Sequence, residues 1–155
     1  MKKAYELRTQ RRVEFADTDC AGIIHFTSYF RYMEEVEHAF LRSLGQSVKS
    51  YTPQGEVGFP RLSATCEFVA PASFEDVLDV HLWVERKGKT SLTYAVVFSK
   101  EGKEVARGRT RAVCCLFGSG RKFHAIPLPR GLSSKIVEAP YPSLWPPMES
   151  KRSGS

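Results

Sequence analysis

No stretch of this sequence approaches the roughly 18 consecutive apolar residues that a membrane-spanning helix needs, so no such span is expected. Cysteine is sparse: Cys20, Cys66, Cys114 and Cys115 form no Cys-x-x-Cys pair and no Cys/His spacing suited to zinc. No metal site is therefore expected. Adjacent Cys114 and Cys115 would point to opposite faces of a strand, which suits packing better than bridging. All four cysteines read as reduced, small core residues, the habit of a reducing compartment. Two lysines follow Met1, but no apolar run lies behind them, so no secretory leader is expected. Together these absences point to a cytoplasmic protein. No internal repeat is visible.

What is present fits one domain. The chain has 155 residues, 42% of them hydrophobic and 26% charged. That is enough to build a core without disulfides and too apolar for a disordered chain. The net charge of +6 and a pI near 9.3 favour anionic partners without choosing among them. Residues 1–138 read as a single folded domain and 139–155 as an irregular Pro-rich tail. The tail carries Pro140, Pro142, Pro146 and Pro147 before Lys151-Arg152-Ser153-Gly154-Ser155. Tyr141, Leu144 and Trp145 are the residues able to pin it to the body, and its end is expected to be disordered.

One strong helix is predicted from Phe26 or Thr27. Tyr29, Tyr32, Met33, Val36, Phe40, Leu41 and Leu44 follow the i, i+3, i+4, i+7 stripe for about five turns. Arg31, Glu34, Glu35, Glu37, His38 and Arg42 fall mainly on the opposite side. Thr27 or Ser28 suits the N-cap, and Gly45 sits where a left-handed C-terminal cap belongs.

The remainder reads as strands. Residues Arg11 to Ala16 alternate, and Leu62 to Val69 is strand-like until Pro71. Leu78, Val80, Leu82 and Val84 face one way; Asp79, His81, Trp83 and Glu85 face the other. A turn at Lys87-Gly88 leads into Ser91 through Ser99, a hairpin turn falls at Lys100–Lys103, and Glu104 through Phe117 forms the last long strand. A short helix is expected from Pro129 to Val137. Strand, long helix, then an antiparallel meander describes an α+β fold, most simply a sheet curled around the helix.

The segment Phe15 to Tyr29 contains Asp-x-Asp-x-x-Gly, two apolar residues and an aromatic-rich helix start. It resembles the signature of the 4-hydroxybenzoyl-CoA thioesterase family at Asp17, Asp19, Gly22, Ile23, Ile24 and Tyr29. The likeness continues through Gly58-Phe59-Pro60 and Ala64 to Pro71 into the meander. The sequence is also similar to the 1,4-dihydroxy-2-naphthoyl-CoA thioesterases at Asp17-Thr18-Asp19, Ala21-Gly22 and Ile126-Pro127-Leu128-Pro129. The resemblance covers residues 8 to 137. It implies a hotdog fold, a five-stranded antiparallel sheet around the helix. It also implies a homodimer with one continuous sheet and interfacial active sites, commonly doubled to a homotetramer. The implied substrate is an acyl-CoA thioester, hydrolysed with no cofactor.

On that resemblance Asp19 corresponds to the catalytic carboxylate, acting as nucleophile or as general base on water. A capped turn is the competing role for Asp19, and Asp17 is expected to organise the loop. Phe26 matches the position whose backbone N–H faces the thioester oxygen, where a helix start offers free amides and partial positive charge. His25 departs from the pattern, which has an aromatic residue there or, in a related branch, a His one position later. It is a candidate for orienting substrate or moving a proton, or simply for packing. Gly22 would let backbone approach the substrate closely. Tyr29 is expected in the core or pocket wall. Arg86, Lys87 and Lys89 are candidates for the phosphates of coenzyme A, with an ordinary solvated turn as the alternative.

Two rival functions stay open. A hotdog dehydratase or hydratase would pair His25 with an acid such as Glu35. A non-catalytic acyl or nucleic-acid binding module is motivated by the charge, but no RNA-binding signature accompanies it, so no nucleic-acid partner is expected.

Overall fold

The computed structural model describes residues 2–118 and 122–145. The end of the tail, 146–155, lies outside the described residues, and so does the expectation of disorder there. The chain forms β1 (Glu6–Arg12), a short 3-10 turn (Phe15–Asp17) and α1 (Phe26–Ser43). The strands β2 (Ser50–Thr52), β3 (Gly55–Gly58), β4 (Arg61–Phe68), β5 (Val77–Lys87), β6 (Ser91–Lys100) and β7 (Lys103–Val113) follow. β8 (Cys115–Phe117), β9 (Phe123–Ala125) and α2 (Arg130–Ser133) complete it. Five strands form one antiparallel sheet in the order β1-β5-β6-β7-β4, folded around α1. This is the expected α+β hotdog arrangement.

The helix stripe does what its spacing requires. Tyr29, Tyr32, Met33, Val36, Phe40 and Leu41 are buried, against Leu78, Val80, Leu82 and Val84 of β5 and Leu92, Tyr94, Val96 and Phe98 of β6. Gly108 of β7 lets the helix approach closely, because a Cβ there would collide with the Met33 thioether. Gly45 (φ 69°) ends α1 in the left-handed conformation, and Gln46 N–H closes back on Leu41 O at 2.9 Å.

Several expectations are corrected. The stretch after Arg12 leaves the sheet for the 3-10 turn. The last strand breaks at Cys114, whose amide turns to Thr90 O, and β8 joins a second sheet in the order β2-β3-β8-β9. The short helix spans only Arg130–Ser133. The N-cap of α1 is His25. Glu37 is 2% exposed and paired with Arg61 of β4, so it does not lie on the solvent side. Cys114 and Cys115 are buried and Cys66 is partly so, but Cys20 is exposed; all four are free thiols.

The outer face of the sheet is partly covered by residues 138–145. Tyr141 packs edge-on against Trp83, with ring centroids 5.6 Å apart, and donates to Glu6 at 2.8 Å. Arg109 stacks over Trp145, whose indole N–H donates to Glu67 at 3.1 Å. Among the described residues no helix is long and apolar enough to cross a membrane.

Candidate active site

The loop ahead of α1 is a tight hairpin. Gly22 N–H donates to Asp19 O at 3.0 Å, and Asp19 N–H donates to Ile23 O at 2.9 Å. Gly22 has φ 80° and no neighbour within 4 Å of where a Cβ would sit. Its glycine is therefore demanded by the turn conformation within this chain. The outgoing limb is zipped to the chain after β4: Ile24 N–H donates to Ala72 O at 2.8 Å, and Ile23 bridges Ser73. These bonds bring Asp19 to the end of β4.

Between the loop, the start of α1 and the end of β4 lies an open cavity of about 500 Å³. Asp19, Ile23, Ile24, Phe26 and Tyr29 line one side, and Phe68 to Ala72 the other. Sequence reasoning missed that second wall. Pro71 was legible only as a strand stop, and nothing local shows that residues 68–72 return to the helix start.

Asp19 fulfils the turn role and still reaches the cavity. Oδ1 accepts the Ala21 N–H at 2.8 Å, while no described residue bonds Oδ2. Phe26, the first residue of α1, lines the same cavity. Thr27 N–H is taken by His25 Nδ1 and Ser28 N–H by His25 O, whereas the Phe26 N–H has no acceptor among the described residues. A residue with an unbonded carboxylate oxygen and a residue with a free amide at a helix N-terminus thus line one largely apolar hollow.

Asp17 holds these two parts together. The residue is 2% exposed, and its carboxylate accepts from Tyr32 Oη at 2.7 Å, Glu14 N–H at 2.9 Å and Arg31, with Arg11 3.5 Å away. Its backbone carbonyl accepts from His25 N–H and Ser28 Oγ, both at 2.8 Å. Burial pushes its pKa up, but the Glu14 amide, the Tyr32 hydroxyl and the two guanidiniums outweigh that and hold the carboxyl below its ordinary range. Tyr29 is 3% exposed, and burial, with Cys66 nearby, pushes its hydroxyl up to about 12, so it is a neutral wall residue. Burial also pushes the Cys66 thiol up to about 12, which removes it as a thiolate nucleophile.

The other candidates divide. Arg86 and Lys89 are exposed beside the β5–β6 turn. Lys87 is not available in the same way, because its ammonium binds Ser133 O at 2.6 Å and Ile136 O at 3.0 Å, anchoring the α2 region. None of the three lines the cavity of its own chain. Glu35 is tied to Arg11 at 2.7 Å and is not joined to His25. Among the described residues no group of three or more His, Cys, Asp or Glu is arranged to hold a metal.

A family model described as Thioesterase-like superfamily matches residues 13–141. The chain belongs to this superfamily. An Aquifex aeolicus protein, provisionally named an esterase, is 36% identical over 114 residues, 72% of this chain and 85% of that one. The 1,4-dihydroxy-2-naphthoyl-CoA hydrolase of Synechocystis is 27% identical over 135 residues, 86% of this chain and 96% of the relative. In three dimensions the gentisyl-coenzyme A thioesterase BH1999 superposes with a TM-score of 0.72 at 29% identity, covering 84% of this chain and 100% of that one. Thioesterase-superfamily membership covers the loop, α1 and the whole five-stranded sheet except β1.

Proposed function

We propose that this protein is an acyl-CoA thioesterase that hydrolyses a thioester to the free acid and coenzyme A, with Asp19 as the reacting carboxylate. One observation carries the reading: Asp19, with one carboxylate oxygen unbonded, and Phe26, whose amide has no acceptor among the described residues, both line the cavity at the start of α1. The thioester carbonyl oxygen accepts from the Phe26 N–H, which stabilises the negative charge that develops there by roughly 3 kcal/mol. Asp19 either attacks the carbonyl carbon, giving an anhydride that water then opens, or takes a proton from a water that attacks in its place. In both routes the C–S bond breaks, and the leaving thiolate ends as the protonated thiol. Ile23, Ile24 and Phe68 keep bulk water from the polarised carbonyl. The chemistry needs no cofactor.

The same reading includes a homodimer. β4 is an edge strand with Leu62 and Phe68 exposed, and Val69 just after it is exposed too. Antiparallel pairing of β4 with its copy would place the Arg61 end of one protomer beside the Phe68 end of the other. The register Lys87↔Leu92↔Ala112↔Arg61 puts the basic β5–β6 turn at that Arg61 end. Arg86 and Lys89 of one protomer then approach the cavity of its partner, where the phosphates of coenzyme A would project. Two such dimers would make the tetramer, and the reducing habit of the cysteines suits a cytoplasmic enzyme. The test is thiol release across a panel of aromatic and aliphatic acyl-CoA substrates, with Asp19→Asn as the paired variant. Turnover that survives in the variant would remove Asp19 from the reaction. Altered acyl unsaturation without thiol release would favour a dehydratase.

A further inference from the structure

The N-cap of α1 is a histidine side chain acting through Nδ1. That atom accepts the Thr27 N–H at 3.2 Å and lies 2.7 Å from Thr27 Oγ1. A backbone amide can only donate, so Nδ1 must carry a lone pair and the ring proton sits on Nε2. Ser, Thr, Asn and Asp are the usual caps. Histidine differs from all of them in one respect: an imidazolium has no lone pair and cannot cap. Protonation would also place a positive charge at the positive end of the helix. The residue is fixed on its other sides. Its N–H donates to Asp17 O at 2.8 Å, its carbonyl accepts the Ser28 N–H at 2.9 Å, and its ring stacks on Phe26 with centroids 4.7 Å apart.

We propose that His25 is a positioning residue: its neutral Nδ1 holds the first turn of α1 so that the Phe26 amide stays free for the thioester oxygen, and the ring itself moves no proton in the reaction. This rests on the thioesterase reading. The carboxylates of the adjoining elements have partners other than the ring, and Asp19 keeps its second oxygen unbonded. Asp17 is bonded by Glu14, Arg31 and Tyr32, Asp76 by the Ser73 amide and Lys100, and Asp19 by the Ala21 amide. Among the described residues no carboxylate is bonded to the ring.

The experiment compares wild type with His25→Asn, which caps without titrating, and His25→Ala, which does neither. Two readouts are taken against pH: thiol release, and amide hydrogen exchange of the segment containing Phe26 and Thr27, corrected for intrinsic exchange. His25→Ala is expected to exchange about fivefold faster at neutral pH, the factor an ordinary N-cap is worth. It should lose kcat with KM little changed. His25→Asn restores both. An Asn variant as impaired in kcat as the Ala variant, with the cap intact by exchange, would overturn the proposal and give the ring a direct part in the chemistry. Exchange at Thr27 that is the same in all three proteins would overturn it too. If wild type releases no thiol from any acyl-CoA, the thioesterase reading fails while the exchange data still decide whether His25 is the cap.

Discussion

Tyr32 donates its hydroxyl proton to the buried carboxylate of Asp17 at 2.7 Å, and this bond ties the second turn of α1 to the segment that carries Asp19. The two aspartates of the Asp-x-Asp pattern therefore divide the work. Asp17 is inward and committed to structure. Asp19, two residues on, keeps one oxygen free at the cavity. A loop that must present a carboxylate to a helix end within a few tenths of an ångström needs such an anchor, because packing alone leaves a short exposed turn free to move.

Replacing Asp19 by Asn keeps the acceptor for the Ala21 amide and removes the charge. Stability should change by less than about 1 kcal/mol, whereas kcat for thiol release should fall by roughly a hundredfold or more. Thermal unfolding and a thiol-coupled assay on the same preparations check both parts.

Asp17→Asn should act on stability first. Its folded-state pKa lies below the ordinary 3.8. The stabilisation from this network is therefore fully present above about pH 4 and is lost as pH falls through the folded value. The variant should be less stable than wild type by roughly 2 kcal/mol or more at pH 7, with the gap narrowing as pH falls below the ordinary carboxylate range. Urea unfolding over that range measures the gap, and a constant gap would separate Asp17 from the acid response.

Arg61→Leu acts through a carboxyl shifted in the other direction. Burial raises the pKa of Glu37 above 4.5, and Arg61 is the partner that limits the rise. Without the guanidinium, the folded state favours a protonated Glu37 still more. Destabilisation should be about 3 kcal/mol near pH 7 and shrink as pH falls toward 4.5, because stability tied to a raised carboxyl is lost as pH rises through its folded value. Adding Glu37→Gln should flatten the dependence.

Charge reversal at Lys89, alone or with Arg86→Glu, should raise KM for acyl-CoA several-fold at low salt with kcat little changed. The same acyl group on pantetheine, which lacks the nucleotide phosphates, should be hydrolysed as before. An equal effect on both substrates would place these side chains away from the phosphates. Lys87→Glu should instead lower stability, since Lys87 is bonded to Ser133 O and Ile136 O.

The chain order alone determined a good deal. The helical stripe from Tyr29 to Leu44, the alternation from Val77 to Glu85 and the Lys100–Lys103 turn are local patterns. Local patterns with a strong period choose their own secondary structure and their buried face. The Asp-x-Asp-x-x-Gly loop was legible because its turn chemistry and its spacing from the helix are also local. Other features were decided only when distant segments met. Strands β2, β3, β8 and β9 have three or four residues each and no period to read, and β3 finds β8 roughly sixty residues downstream. Glu37 lies on the side of α1 that read as polar, and its burial depends on Arg61 arriving from β4. The wall of the cavity opposite Asp19 exists because Ile24 hydrogen-bonds to Ala72, a pairing between segments nearly fifty residues apart. Which oxygen of Asp19 is left free, and which amide of α1 has no partner, are outcomes of hydrogen-bond geometry in three dimensions, and no reading of residue types along the chain contains them.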